Sequence, residues 1–526
     1  MIIERVNIRK ILVSSVLSAI LRGKTAVVLK LIFVALITAL LVTVTLSAFA
    51  KEEYAIAIFL ALSIVLINFT YFSKRTVPLK FFLPGILLLT AFVLTPILYT
   101  LIMSNFNYKT GNYIGKEDAI GRIQALALEP DDNATAFDIV VGKYQGQNAI
   151  LVSDINNQSY FVSTIKVRIP LPTSDLQIDE YGVAQSAPDF TKLESEAISG
   201  SQAAKARYIY DGDFFIAVEN LNVGAVFRQS LEYLPEQDVF RSLITGDIYR
   251  DNGNGNYVNE NLESDFLEPG WRAPNWFSNY TKLFTDERVR TPLISVFIWT
   301  VTFASLTVLT QFAFGLLLAL ALNKPIRGRR IYRSILVLPY AMPSVMSILI
   351  WGGMFNTEFG AINEIIGRDI AWFQDPTFAR VAVILVNLWL GFPYFNLVSS
   401  GALQAIPSEL LEAASIDGAN ARQVFRKVTL PLLLQILSPL LIASFAFNFN
   451  NFNLIYLLTG GGPREQLDGE IAGSTDILIS YTYQIAFGTT VQDLGLASAI
   501  SVIIFLLVAS ISLYGVRKSK VLESFS

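Results

Sequence analysis

"EAASIDGANARQVFRKVTLP", residues 412–431, is a polar run set between two apolar stretches. Glu409 precedes it, Glu412 opens it, Arg422, Arg426 and Lys427 come late, Gly418 stands between, and Pro431 closes the run. Carboxylates in a first turn and cations in a last turn complement the helix dipole. The segment 407–431 is therefore predicted to form two short cytoplasmic helices broken at Gly418, with Pro431 opening the next span. Leu410, Leu411, Ala413, Ala414 and Ile416 would give the first helix a small apolar face. A solvated amphipathic loop fits the same residues.

The polar run matters because its surroundings are so apolar. Of 526 residues, 53% are hydrophobic and 16% charged, and the mean hydropathy is +0.48. That is the composition of a polytopic membrane protein. Cysteine and histidine are both absent, which excludes disulfides, thiol nucleophiles, imidazole bases and the usual zinc ligands. Stretches long enough to span a bilayer as helices fall near 26–50, 54–73, 81–103, 292–322, 333–354, 381–400, 433–458 and 496–515. Basic clusters flank them at Arg5, Arg9, Lys10, Arg22 and Lys24; at Lys74, Arg75 and Lys80; and at Lys324, Arg327, Arg329, Arg330 and Arg333. Two more follow, at Arg422, Arg426 and Lys427, and at Arg517, Lys518 and Lys520. All five fall on one side of an eight-span arrangement, so both termini are expected in the cytoplasm. Ala48-Phe49-Ala50 has the form of a signal-peptidase site. The apolar run before it is too long for a signal peptide, so an uncleaved anchor is expected.

Residues 104–289 form the large piece outside the spans. They carry 15 basic and 27 acidic side chains, which argues against nucleic acid. Short runs such as "FDIVVG", "AILVSDI" and "DFFIAVENLNV", separated by turn residues, predict strands. The expected fold class is an all-α polytopic membrane protein of about eight transmembrane helices with a β-rich extracytoplasmic insert. Its divisions are 1–103, an extracytoplasmic insert at 104–289, and a C-terminal membrane core at 290–526 that includes the polar loop 401–432.

Apart from Lys30 near one end of the first span, no Asp, Glu, Lys or Arg falls well inside a span. Ion-coupled carriers usually place ionisable relays there. If the protein pumps, its energy source must then lie in a partner. The run "SAILRGKT" at 18–25 lacks the first glycine of a phosphate-binding loop and enters a span directly. "DNGNGNYVNENLE" at 251–263 suggests a calcium loop, but Tyr257 stands where such a loop needs glycine, and a surface turn is the simpler reading. No metal site, cofactor or catalytic residue is expected.

The opening stretch resembles the EAA motif of ABC importer permeases, with Glu412, Ala413, Ala414, Gly418, Ala419, Val428, Leu430 and Pro431 matching. The resemblance extends over nearly the whole chain to the MalF-type permease family of maltose/maltodextrin importers. "LLTGGGP", "LPYAMPS", "VNLWLGFPY", "IASFAFNFNNF" and "FTDE", together with the large insert after the third span, carry it. It implies that Glu412, Ala413, Ala414, Ser415, Asp417, Gly418, Ala419 and Pro431 belong to a helix that docks on an ATPase subunit. It also implies a sugar site midway across the membrane, built from Tyr340, Ser344, Asn387, Leu390, Gly391, Tyr394, Phe447, Asn448 and Asn451. Such chemistry is reasonable, because sugar rings stack on aromatics and their hydroxyls pair with amides and hydroxyls. Asparagines and tyrosines in membrane helices also simply bond to neighbouring helices. Pro339, Pro343 and Pro393 are candidates to bend or break helices near the site.

The partners implied are a second, MalG-like permease, a dimer of ATP-binding subunits, a periplasmic maltose-binding protein, maltose or maltodextrin, and inner-membrane lipid. A permease for another neutral oligosaccharide is the alternative. A membrane receptor would need a cytoplasmic signalling domain, and the longest cytoplasmic segment is short. A membrane enzyme would need an acid, base or metal cluster that the spans lack.

Overall fold

The computed structural model describes residues 23–50, 53–73, 75–131, 136–198, 201–324, 326–464, 471–490 and 492–518. Arg5, Arg9, Lys10, Arg22, Lys74 and Lys520 lie outside the described residues, as does most of the run 18–25. The chain divides into two units, Met1–Leu101 and Ile102–Ser526. In the first, the helices Gly23–Ala50 and Tyr54–Phe72 pack against each other, with Asn68 Nδ2 donating to Thr38 Oγ1 at 3.0 Å. Lys30 Nζ donates to the Tyr71 carbonyl, so the one ionisable group of this span is held by main chain.

Among the described residues, six helices are long and apolar enough to cross a membrane. Three of the eight expected spans depart from single long helices, the seventh being split in two. Tyr54–Phe72 is short, and the fifth span is broken, Arg329–Ala341 (α2) meeting Ser344–Met354 (α3) at 93°. The break is dictated by Pro343: the residue before a proline is pushed out of helical geometry, and Met342 is extended, at φ −82° and ψ 141°. Pro339 lies in the last turn of α2, whereas Pro393 sits within the continuous helix Pro376–Ala405 (α4).

The long helix Glu287–Asn323 (α1) is capped by Asp286, whose Oδ1 accepts from the Arg288 N–H at 3.1 Å. Asp375 caps α4 likewise, with Pro376 in the first turn, where a missing N–H costs nothing. Between α4 and the next span lies Ser408–Ile416 (α5). The expected span 433–458 arrives as two pieces, Leu430–Phe449 (α6) and Phe452–Leu458 (α7). Asn450 leaves helical geometry at φ −114°, and the Asn451 side chain accepts from the Leu454 N–H at 3.4 Å to start α7. After Leu478–Tyr483 (α8), the last span is Leu494–Lys518 (α9).

Two spans carry a wide turn, at Thr90–Leu94 and at Phe425–Thr429, and each ends two residues before a proline, Pro96 and Pro431. Proline removes one main-chain donor and crowds the preceding turn. A locally widened helix accommodates both without a kink. Pro431 consequently sits inside a helix that is continuous from Ala421, and does not mark its start.

The insert is β-rich. Its larger sheet has nine strands, centred on Val223–Gln229, Ala136–Tyr144, Gln147–Asp154 and Ser159–Thr164 in that order, all antiparallel. Alternate residues such as Ile139, Val141, Ile150 and Val152 face one buried cluster, and Val140, Leu151 and Val162 face another, so both sides are covered. A second sheet is a five-stranded meander from Leu231–Leu234 to Leu262–Phe266. In the 251–263 run a turn at 252–256 joins two strands of this sheet: Asp251 Oδ1 accepts from Gly253 N–H at 2.8 Å and Asn252 Oδ1 from Asn254 N–H at 2.7 Å.

Lys116 ties the helix Lys116–Leu126 to this meander. Its Nζ donates to Asp238 and, at 2.7 Å, to Asp251, and it lies 5.0 Å from the Trp271 ring. Burial pulls the ammonium down, but the two carboxylates outweigh it and raise its pKa above the ordinary 10.5. For Asp238 burial works upward, and donation from Lys116, Tyr257 and Tyr233 outweighs it, holding the carboxyl below 3.8. The Asp238 contribution is present above its unfolded pKa and is lost as pH falls through its folded pKa. The Lys116 contribution is present below its unfolded pKa and is lost as pH rises through its folded pKa. The tie therefore holds across neutral pH. Lys116→Met leaves two carboxylates facing each other. Hydrogen exchange in the strands Ile248–Asp251 and Tyr257–Asn259 of the full chain at pH 7 is expected to quicken about tenfold. An unchanged rate would mean that the meander holds without the lysine.

Candidate functional site

The cavity that matters is built where two breaks in regular structure meet the middle of one continuous helix. The end of α2 and start of α3 supply Pro339, Tyr340, Met342 and Ser344; the middle of α4 supplies Asn387, Leu390, Gly391 and Tyr394. The last turns of α6, with the Asn450–Asn451 break, supply Ser444, Phe447, Asn448 and Asn451. These residues line a space of about 560 Å³, within the roughly 300–1,000 Å³ typical of small-molecule sites. All nine residues expected from the sequence face it. Among the described residues no charged side chain lines it.

Its polar groups divide into two sets. One set is committed to holding helices together. Asn387 Nδ2 donates to Asn448 Oδ1 at 2.8 Å and lies 3.4 Å from Thr307 Oγ1, while Asn448 Nδ2 donates to the Ser444 carbonyl at 2.9 Å. Asn387 and Asn448 are buried, so this chain welds α1, α4 and α6 across the bundle. The other set is unspent. The hydroxyls of Tyr340, Ser344 and Tyr394 and the amide of Asn453 make no hydrogen bond within the protein among the described residues. Tyr340 and Phe447 are 58% and 69% exposed, so their rings stand out into the space. The arrangement offers aromatic faces beside unpaired hydroxyls and amides, in a setting without ionic groups.

Asn453, the last of a cluster of asparagines at 448–453, lines the cavity too, while Gln311, Met342 and Ser444 line it and were not anticipated. Ser444 had a legible signal, since 444, 447, 448 and 451 follow the helical repeat of one face. Gln311 is a lone amide on a long apolar helix, and nothing in its local pattern tells which neighbour it meets.

The glycine-rich run after α7 is explained by a buried carboxylate. Asp476 is fully buried and accepts from Gly473 N–H at 2.8 Å and Ser480 Oγ at 2.7 Å. A Cβ on Gly461, which has φ +85°, would stand 2.0 Å from Asp476 Oδ1. Burial pushes the Asp476 carboxyl above the usual range against these bonds. The run "LLTGGGP" thus wraps one acid just beyond α7.

The opening stretch folds as α5, a turn, and the short helix Ala421–Val424. Gly418 has φ +84°, and Ala419 N–H reaches the Ala414 carbonyl at 3.0 Å, closing α5. Asn420 and Gln423 then bond reciprocally, each at 2.9 Å, in a capping box that starts the next helix. At the tip of α5, Ile416 is 86% exposed, and Glu412, Ala413, Ser415 and Asp417 are exposed with it.

Residues 311–519 match the family described as the binding-protein-dependent transport system inner membrane component. Residues 87–164 match the N-terminal region of the transmembrane subunit of such ABC transporters. The maltose/maltodextrin transport system permease protein MalF of Vibrio vulnificus strain YJ016 is 34% identical over 91% of this chain and 92% of its own length. MalF of Escherichia coli K12 is 34% identical over 90% of this chain and 93% of its own. A crystal structure of a bacterial ABC transporter that imports the acidic polysaccharide alginate has 22% identity and a TM-score of 0.40, covering 47% of this chain and 83% of that one. Similarity at this level along almost the full length of both chains leaves no room for a different architecture: the chain belongs to the MalF family, the multi-pass inner-membrane permeases of binding-protein-dependent ABC importers.

Proposed function

We propose that this chain forms half of the transmembrane pore of an ATP-driven importer of maltose and maltodextrins. The observation that carries the reading is the uncharged cavity in which Tyr340, Tyr394 and Phe447 present rings beside unpaired hydroxyls and amides. A neutral sugar needs aromatic faces for its C–H surfaces and donors or acceptors for its hydroxyls, and it needs no ion pair. The relatives, named for maltose and maltodextrin transport, support the substrate. Exposure of Tyr340 and Phe447 in the single chain fits a cavity closed by a second permease of MalG type.

ATP is hydrolysed by a pair of partner subunits that dock on α5 through Glu412, Ala413, Ala414, Ser415, Ile416 and Asp417. The turn at Gly418 and Ala419, and Pro431 in the following helix, carry their motion into α4 and α6. Both termini lie in the cytoplasm, and the insert lies in the periplasm against a maltose-binding protein. This chain contributes no catalytic residue and needs no cofactor.

The test is ATP hydrolysis by the four-part complex in proteoliposomes with binding protein and a panel of sugars. Maltose or maltotriose is expected to stimulate it, and Tyr394→Ala to raise the half-saturating sugar concentration for transport roughly tenfold. A second reading, another neutral oligosaccharide, rests on the same lack of charge. It would appear as stimulation by that sugar and not by maltose.

A further inference from the structure

A buried contact binds α1 to α4 at the wall of the cavity. Gln311, 4% exposed on α1, points its amide at α4. Its Nε2 donates to the Asn387 carbonyl at 2.6 Å. The amide occupies the place where residue 391 would carry a side chain: a Cβ on Gly391 would lie 2.1 Å from Gln311 Nε2 and 2.2 Å from its Cδ. One turn further along, the relation reverses. A Cβ on Gly315 of α1 would lie 2.7 Å from Phe395 Cβ on α4. Each helix thus has one glycine into which the other projects, four residues from a projecting group of its own. Close approach through glycine is how membrane helices gain packing without a hydrophobic drive.

We propose that Gln311 is a positioning residue for the cavity, and that Gly391 is glycine chiefly to receive it. The inference rests on the saccharide reading of the cavity. The geometry gives the pair a job. The same residue, Asn387, receives the Gln311 amide on its carbonyl and donates its own side-chain amide to Asn448. Leu390 and Tyr394 follow on the same face of α4 and line the space. Fixing the rotation of α4 at Asn387 and Gly391 therefore fixes how far Leu390 and the Tyr394 hydroxyl reach. A knob of one amide in one notch permits one rotation, because an overpacked or emptied notch is unfavourable either way.

The experiment is a double-mutant cycle on the complete complex, reading sugar transport and thermal unfolding in parallel. Gly391→Ala alone is expected to raise the half-saturating sugar concentration about tenfold or more, with a smaller change in maximal rate. Gln311→Ala alone is expected to raise it by roughly threefold. The double variant is expected to fall within about twofold of Gln311→Ala, since the methyl then enters the space the amide has left. If Gly391→Ala is equally harmful with and without Gln311, the glycine admits the sugar itself, and the proposal is wrong. Coupling in unfolding temperature without coupling in the sugar dependence would reduce the pair to packing and also overturn it. Wild-type complex that responds to no α-glucan would sink the saccharide reading separately, and coupling in unfolding temperature would then still report whether the two residues interlock.

Discussion

Replacing Gly418 by proline is expected to lower sugar-stimulated ATP hydrolysis by the reconstituted complex about 100-fold, with the cavity between α2, α4 and α6 left intact. Gly418 sits at φ +84°, and its N–H reaches the Ser415 carbonyl. Proline is locked near −65° and has no N–H, an incompatibility of about 3 kcal/mol, which converts to roughly that factor. The strain falls between the exposed tip of α5 and the capping box of Asn420 with Gln423, the two pieces that must move as one if a partner ATPase is to reach α6. Gly418→Ala is the graded control. It keeps the N–H and meets only the positive-φ penalty of about 1 kcal/mol, so a loss of about fivefold is expected. Equal, full activity of both variants would remove this turn from the coupling path.

The second large effect lies in the membrane. Asn448→Leu keeps the size of the side chain and removes the acceptor 2.8 Å from Asn387 Nδ2. A buried donor left without its partner costs roughly 1–3 kcal/mol. Transport at low sugar concentration is expected to drop about 10- to 30-fold, and the complex to unfold at lower temperature. Replacing both asparagines by leucine removes the unpaired group, and apolar pairs can substitute for buried hydrogen bonds at little cost in stability. The double variant is therefore expected to regain unfolding temperature and to stay defective in transport. Recovery of transport as well would mean that these amides only join helices, and that sugar recognition belongs to Tyr340, Ser344, Tyr394 and Asn453.

Much of this arrangement was legible in the sequence. Polar residues on an apolar helix stand out, and the spacing of Asn387, Leu390, Gly391 and Tyr394, or of Phe447, Asn448 and Asn451, puts each set on one face. The break at Met342 follows from Pro343 by a local steric rule. Strands of the insert follow from runs such as "FDIVVG". Pairings between distant segments were not legible. The strand Val223–Gln229 lies against Ala136–Tyr144, and Gln311 meets Gly391, because of tertiary packing that no short window contains. The interruption at Asn450 also escaped, since asparagine ends a helix only where its neighbours offer the side-chain cap that Asn451 supplies. Pro431 misled by local rule: a widened turn let the helix run through it.

The sharp bend between α2 and α3 has a consequence for how the cavity can be studied. Any helix leaves carbonyls unpaired at its end and N–H groups unpaired at its start. Here the end of α2 and the start of α3 both border the cavity, at Pro339, Tyr340 and Ser344. Under the proposed saccharide reading, main-chain groups at this bend stand beside the side chains that would meet the sugar, and no substitution of a side chain deletes them. A scan that truncates the lining residues one by one will report less polarity than the cavity possesses. Specificity written in the path of the backbone is inherited with the fold, and it drifts only when the bend itself does.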